Sequence, residues 1–207
     1  MSSSYIEQFS RYLQEITSLG QADTARLISR CTQVSLLKNN YFLKTGDPVT
    51  KVGYLAKGII RQFIIDKKGT EIISQFISEG HFFTDRNGFY ERKSSGSSMQ
   101  ALTDCQLLVL SISELDRLKE EIPLLKTVVA QISEQSLREQ IKTEEFLRIG
   151  TATEQYQHFM TNYPHLVKQV PLKYIASYLR ITPQSLSRIR KQEGLMHNWK
   201  RGNNPLP

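Results

Sequence analysis

Cysteine is scarce in this chain. Of its 207 residues only Cys31 and Cys105 carry thiols, too few for a disulfide framework, a four-ligand structural zinc site or a thiolate-held iron–sulfur cluster. Free thiols in a reducing cytoplasm are the reading that remains. Histidine is as sparse. His81, His158, His165 and His197 stand without ligand-like neighbours at short spacing, so neither a metal site nor a nucleophile–base pair is expected, and no enzyme, unless tertiary proximity assembles one. No run approaches the roughly 18 apolar residues of a membrane span. Residues 1–7 lack a basic stretch leading into an apolar one, so no secretory signal is expected, and the protein is expected to be cytoplasmic.

Acidic residues are missing from one region in particular. From position 149 onward eight basic side chains (Lys168, Lys173, Arg180, Arg188, Arg190, Lys191, Lys200, Arg201) face only Glu154 and Glu193, a balance of +6. Residues 1–148 hold 19 basic and 18 acidic side chains, a balance of +1, so almost all of the formal charge of +7 is C-terminal. A concentrated positive face suits a polyanion through phosphate neutralisation and counterion release. Charge alone would equally describe a solvated basic tail.

What is present falls into three regimes. Residues 4–31 repeat apolar side chains at three to four (Ile6, Phe9, Leu13, Ile16, then Ala25, Leu27, Ile28), predicting two short helices broken at Gly20. From 33 to 111 the period shortens, with candidate strands at 41–43, 52–55, 59–65, 71–77 and 106–110. Gly46, Gly58, Gly69 and Gly80 recur between them every eleven or twelve residues, a turn spacing that suggests a compact antiparallel barrel or sandwich. Asp66–Gly69 fits a hairpin loop with a left-handed glycine.

The third regime is helical. Ser113 is expected to cap a helix over 114–121, and Pro123 to open a long one over about 123–147. Leu125, Val128, Val129, Ile132, Leu137 and Ile141 stripe that long helix, either as a dimer seam or as docking on the parent barrel. Gly150 stops it, and Thr151 or Thr153 caps the next helix, with Glu154 in the opening turns.

Residues 171–192 carry the most specific pattern. Pro171 opens a helix burying Leu172, Ile175, Ala176 and Leu179; Arg180-Ile181 turns the chain; Thr182 caps a second helix with Pro183 first and Leu186 and Ile189 inward. A small residue at the closest approach, Ala176, and Ile181 at the junction complete a helix-turn-helix spacing. Gln184, Ser185 and Arg188 face outward near the second helix's N-terminus, residue types that suit reading base edges. Lys173, Tyr174, Arg190 and Lys191 suit phosphate, as do Arg180 and Thr182 at the turn. A plain helical hairpin with solvated charges is the competing reading. Arg180 stands where the turn usually has glycine, which costs about 1–2 kcal/mol if the backbone is left-handed there.

In this order, the glycine-punctuated strands (with Lys57-Gly58-Ile59-Ile60-Arg61 and 66–69), the long helix and the 171–191 run resemble the Crp/Fnr family of regulators over nearly the whole chain. The resemblance implies an α+β fold. An N-terminal antiparallel β-roll, jelly-roll-like, would carry the dimerisation helix in a sensing domain over 1–148. A small winged-helix-type helix-turn-helix domain over 149–207 would have a reduced or absent wing, with residues 194–207 irregular. It further implies a homodimer on inverted-repeat double-stranded DNA, RNA polymerase as a partner, and base reading by Gln184, Ser185 and Arg188. Effector-pocket positions fall on Gly80, Phe82, Phe83, Thr84, Asp85, Arg92, Ser95 and Ser97. There the chain departs from the family: Thr84-Asp85 replaces the ribose-binding Gly-Glu, and the phosphate-neutralising arginine falls at about Ser95. Arg92 or Lys93 would have to substitute, or are exposed loop charges. Cyclic AMP is therefore not expected as the effector, whose identity stays open, and haem on His81 is not expected. A sensor or adaptor module without DNA activity is the competing function.

Overall fold

Alternating apolar residues on short strands are satisfied when two sheets turn one face each toward a shared interior. The computed structural model describes residues 3–17 and 19–202, with side-chain surroundings for 5–17 and 19–193. Its strands are β1 (Thr32–Leu36), β2 (Tyr41–Leu43), β3 (Lys51–Lys57), β4 (Ile60–Ile65), β5 (Glu71–Ile77), β6 (His81–Phe83), β7 (Ser98–Ala101) and β8 (Cys105–Ser111). They form two four-stranded sheets, ordered β1-β8-β3-β6 and β2-β7-β4-β5, with every pairing antiparallel. Leu55 and Leu107 of the first sheet and Ile60, Met99 and Ala101 of the second are fully buried in one common core. This is the antiparallel β-roll that the sequence pattern predicts.

The helices are α1 (Ser3–Ile16), α2 (Gln21–Ser29), α3 (Arg86–Glu91), α4 (Ile112–Glu121), α5 (Leu124–Ile149), α6 (Ala152–Asn162), α7 (Pro164–Gln169), α8 (Leu172–Tyr178) and α9 (Pro183–Gly202). Helix α1 packs on the roll through aromatic contacts, Phe9 lying 4.5 Å from Tyr54 and 5.6 Å from Phe82, centroid to centroid. The four spaced glycines all have positive φ, between 79° and 106°. At Gly69 the turn is closed by Asp66, whose carboxylate accepts from the amides of Lys68 and Thr70. At Gly58 a Cβ would also lie 2.7 Å from the Cys105 sulfur, so the backbone angle and the space both exclude a side chain.

Three local expectations are corrected. Ser111, not Ser113, caps α4, accepting from the Glu114 amide, because β8 runs directly into that helix. Pro123 precedes α5 rather than entering it, and α5 extends to Ile149. Residues 194–202, expected to be irregular, continue α9; residues 203–207 lie outside the described part. Among the described residues no strand follows β8.

Two compact units divide the chain, Met1–Ser136 and Leu137–Pro207, so the division falls within α5. The helix break expected at 149–151 is also present. Thr151 caps α6 in a reciprocal box, its hydroxyl accepting from the Glu154 amide while the Glu154 carboxylate accepts from the Thr151 amide. The second unit has its own interior, built from Phe159, Leu166, Ile175, Leu179 and Leu186, none more than 1% exposed.

Candidate nucleic-acid interface

The C-terminal unit places α8 and α9 as a helix–turn–helix. Pro171 sits at the N-cap of α8. Ile175, Ala176 and Leu179 are buried there, as are Leu186 and Ile189 of α9, whereas Leu172 and Ile181 are half-buried. The amide of Ile181 donates to the carbonyl of Ala176 at 3.0 Å, so the small residue does lie at the tight junction. Thr182 caps α9, accepting from the Ser185 amide at 3.1 Å, and Pro183 is the first helical residue. Gln184 and Arg188 are exposed. Among the described residues neither bonds to another side chain. The half-buried Ser185 shares its hydroxyl with Thr182 at 2.9 Å. An uncovered helix N-terminus flanked by a free amide and guanidinium side chain can accept an anion and reach hydrogen-bonding edges beyond it.

The six residues expected to meet phosphate stand in different states. Lys173 is exposed, its ammonium 4.8 Å from the Tyr174 ring, and Lys191 is exposed. Thr182 is exposed with its hydroxyl in the cap. Arg190 is exposed yet hydrogen-bonds the hydroxyl of buried Tyr156, whose pKa is raised by burial. Arg180 takes φ 58°, the left-handed conformation anticipated for that turn, and its guanidinium pairs with the Glu144 carboxylate on α5. Glu144 and Tyr156 left no mark in the sequence reading, since each lies over thirty positions from its partner and no local spacing signals such a pair.

The stripe on α5 divides. Leu125 and Val128 are each 2% exposed within the roll's own core, and Val129 and Ile132 pack partly against it. The expectation that Leu125 and Val128 face a partner is thereby corrected: the first turns of α5 need an apolar floor, and the roll supplies it. Leu137 and Ile141, one turn apart, are 43% and 48% exposed.

In the roll, the expected effector positions do not form one open cavity lining. Gly80 shapes a turn, and Phe82 points to α1, ringed by Phe9, Tyr12 and Tyr54. Phe83 is buried against Phe42 at 4.6 Å, and Thr84 donates to the Lys51 carbonyl. Asp85, Ser95 and Ser97 do converge. The Asp85 carboxylate, 6% exposed, caps α3 by accepting from the Gly88 amide at 2.8 Å. It also accepts from the Ser95 and Ser97 hydroxyls at 3.0 and 2.8 Å. Gln62 donates to the Ser97 hydroxyl oxygen at 2.7 Å. Arg92 is not part of this cluster. It caps the end of α3 at φ 54° and pairs with Asp116 of α4 at 2.6 Å, half exposed, while Lys93 pairs with Glu91 on the surface. The loop-charge alternative is the one realised, because α4 offers carboxylates on that side. The buried arginine of the roll is Arg61, which is held by Glu71 and by Gln100 and stacks on Phe63 at 4.1 Å.

Among the described residues no three His, Cys, Asp or Glu side chains gather as a metal site, and no helix is long and apolar enough to cross a membrane. Burial pushes the Cys31 thiol up to about 11 and raises that of Cys105.

Comparison with known proteins agrees with this architecture. Residues 33–121 match the cyclic nucleotide-binding domain family. No curated protein sequence matches the chain. FixK2 from Bradyrhizobium japonicum is similar in structure at a TM-score of 0.73, with 18% identity over 81% of this chain and 86% of that one. The c-di-GMP responsive global regulator CLP of Xanthomonas campestris aligns at 0.66, with 14% identity over 86% and 93%. The Thermus thermophilus catabolite activator protein aligns at 0.55, with 18% identity over 92% and 88%. The chain therefore carries a domain of the cyclic nucleotide-binding family over residues 33–121, within the fold of the Crp/Fnr-type regulators.

Proposed function

We propose that this protein is a sequence-specific, double-stranded-DNA-binding transcription regulator that acts as a homodimer on an inverted repeat. Residues 149–207 would read DNA and residues 1–148 would carry the sensing roll. The observation that carries this reading is α9 itself. A Thr182-capped helix N-terminus exposes Gln184 and Arg188, while Leu186 and Ile189 behind them anchor the helix to α8. Arginine grips guanine and glutamine grips adenine bidentately, so α9 reads bases through Gln184, Ser185 and Arg188. Lys173, Tyr174, Arg180, Thr182, Arg190 and Lys191 supply phosphate contacts. The +6 balance of this segment supports that role. The exposed Leu137 and Ile141 on α5 form the seam of the dimer, with Val129 and Ile132 at its roll end. RNA polymerase is the partner that the fold's relatives suggest.

Cyclic AMP is not the effector in this reading. The buried cluster that a cyclic phosphate would approach holds a carboxylate, Asp85, already saturated by its own donors, and the adjacent Arg92 is turned to Asp116. An anion entering there would meet like charge rather than a guanidinium fork.

The test is selection of duplex fragments from the source genome by wild type and by Arg188→Ala at one fixed salt concentration. Enrichment of an inverted repeat by wild type, relaxed or lost in the variant, supports DNA reading by α9. Equal and salt-sensitive recovery of all fragments by both would move an adaptor without specific DNA binding to the front. Titration with cyclic AMP and with cyclic di-GMP tests the effector statement: a micromolar isotherm with a conformational response would overturn it for that nucleotide.

A further inference from the structure

We infer that Glu144 is a positioning residue for DNA binding: it holds the Arg180 guanidinium away from the phosphate backbone until DNA displaces it. The inference rests on the reading of α9 as the DNA-reading helix. Arg180 lies in the turn two residues before the Thr182 cap, so its head group belongs to the rim of the α9 N-terminus, where a phosphate would approach. Its backbone is left-handed at φ 58°, a conformation that side-chain-bearing residues adopt at a cost. A glycine would serve the turn better, so the guanidinium is the feature that distinguishes this position from an unstrained one. In the free protein it pairs with Glu144.

The carboxylate is firmly placed. On the same stretch of α5, the Thr143 side chain hydrogen-bonds the Tyr178 hydroxyl, Phe146 stacks on His158 at 4.1 Å, and Leu147 is buried. Gln155 donates to the carbonyls of Leu147 and Gly150 at 2.8 and 2.9 Å, fixing the end of the helix. Glu144 is thus presented from a packed helix, whereas Arg180 reaches it on a long flexible side chain. Both partners are about half exposed, 51% and 47%. A pair so solvated is weak and exchanges readily for another anion. A phosphate offers Arg180 the same bidentate geometry and also releases counterions, which a carboxylate of the same protein does not.

The experiment measures affinity of the full-length protein for its selected operator across a range of salt, for wild type, Glu144→Gln, Arg180→Ala, the double variant and Glu144→Asp. Glu144→Gln is expected to bind more tightly, with the slope of log K against log salt steeper by about 0.9 for each phosphate newly held, hence about 1.8 per dimer. The same substitution on the Arg180→Ala background should change neither affinity nor slope, and Glu144→Asp should track wild type. Loss of affinity in Glu144→Gln with an unchanged slope and a lower melting temperature would make Glu144 merely structural and overturn the inference. An equal gain with and without Arg180 would overturn it too, by assigning the effect to net charge. Failure of wild type itself to select any operator would overturn the DNA reading, and is visible before any Glu144 variant is compared.

Discussion

In the roll, the carboxylate of Asp85 accepts from the first turn of α3 and from two serine hydroxyls, and none of these groups faces solvent. In the C-terminal unit, Thr182 caps α9 in the same manner but leaves Gln184 and Arg188 turned outward. Two capped helices thus differ in what surrounds the cap. Where every donor is matched inside the protein, polar chemistry serves stability and a ligand must displace it. Where the cap is complete but the next turn is bare, the same helix end is available to a partner. The comparison assigns recognition to the second unit and leaves the first with a self-satisfied interior.

Four changes test that contrast, in order of expected size. Leu186→Ala empties a fully buried position between α8 and α9. It should cost about 2–5 kcal/mol in denaturant unfolding, with DNA binding lost in parallel. Asp85→Ala removes the α3 cap and strands two buried hydroxyls, so a loss of about 2–3 kcal/mol of stability is expected, with operator affinity in the folded protein unchanged. A drop in affinity without a drop in stability would instead make Asp85 part of a signalling route, and the contrast would fail. Arg188→Ala should do the reverse, weakening operator binding by about 1–3 kcal/mol while the melting temperature stays put. The smallest effect is at Glu154. Hydrogen bonds from the Thr151 amide and hydroxyl hold its carboxyl below the ordinary value of 4.5. A group lowered on folding contributes fully above its unfolded pKa and fades as pH falls through the folded one. Unfolding midpoints of wild type and Glu154→Gln should therefore converge between about pH 5 and pH 3.

Much of the architecture was legible because its signals are local. Gly46, Gly58, Gly69 and Gly80 mark turns that need positive φ, and each has it. Thr151 and Thr182 announce helix starts within four residues of the groups they cap. The inward set of Ile175, Ala176, Leu179, Leu186 and Ile189 follows from helical spacing alone. Strands β1, β6 and β7 and helix α3 escaped notice, since three to six residues are too few to show a period. Tertiary choices were also hidden. Nothing in the α5 stripe distinguishes Leu125, seated on the roll, from Leu137, left bare, because the period is the same and only the neighbouring surface differs. Arg92 was a candidate for the pocket by position, and Asp116, on another helix, took it to the surface. The Asp85 cluster joins residues ten and twelve positions apart across a loop, a closure that no repeat encodes.

The two thiols bear on how this protein can be followed in solution. With its pKa pushed up to about 11, Cys31 at neutral pH is thiolate only to about one part in ten thousand. Cys105 is buried with a raised pKa of its own. Alkylating dyes and spin labels attack the thiolate, so the native chain is nearly silent toward them. A cysteine introduced at exposed Ile141 or Gln184 would take a label almost alone, without first stripping the wild-type thiols. Distances between such labels would report pairing along α5 and docking of α9 on one and the same background.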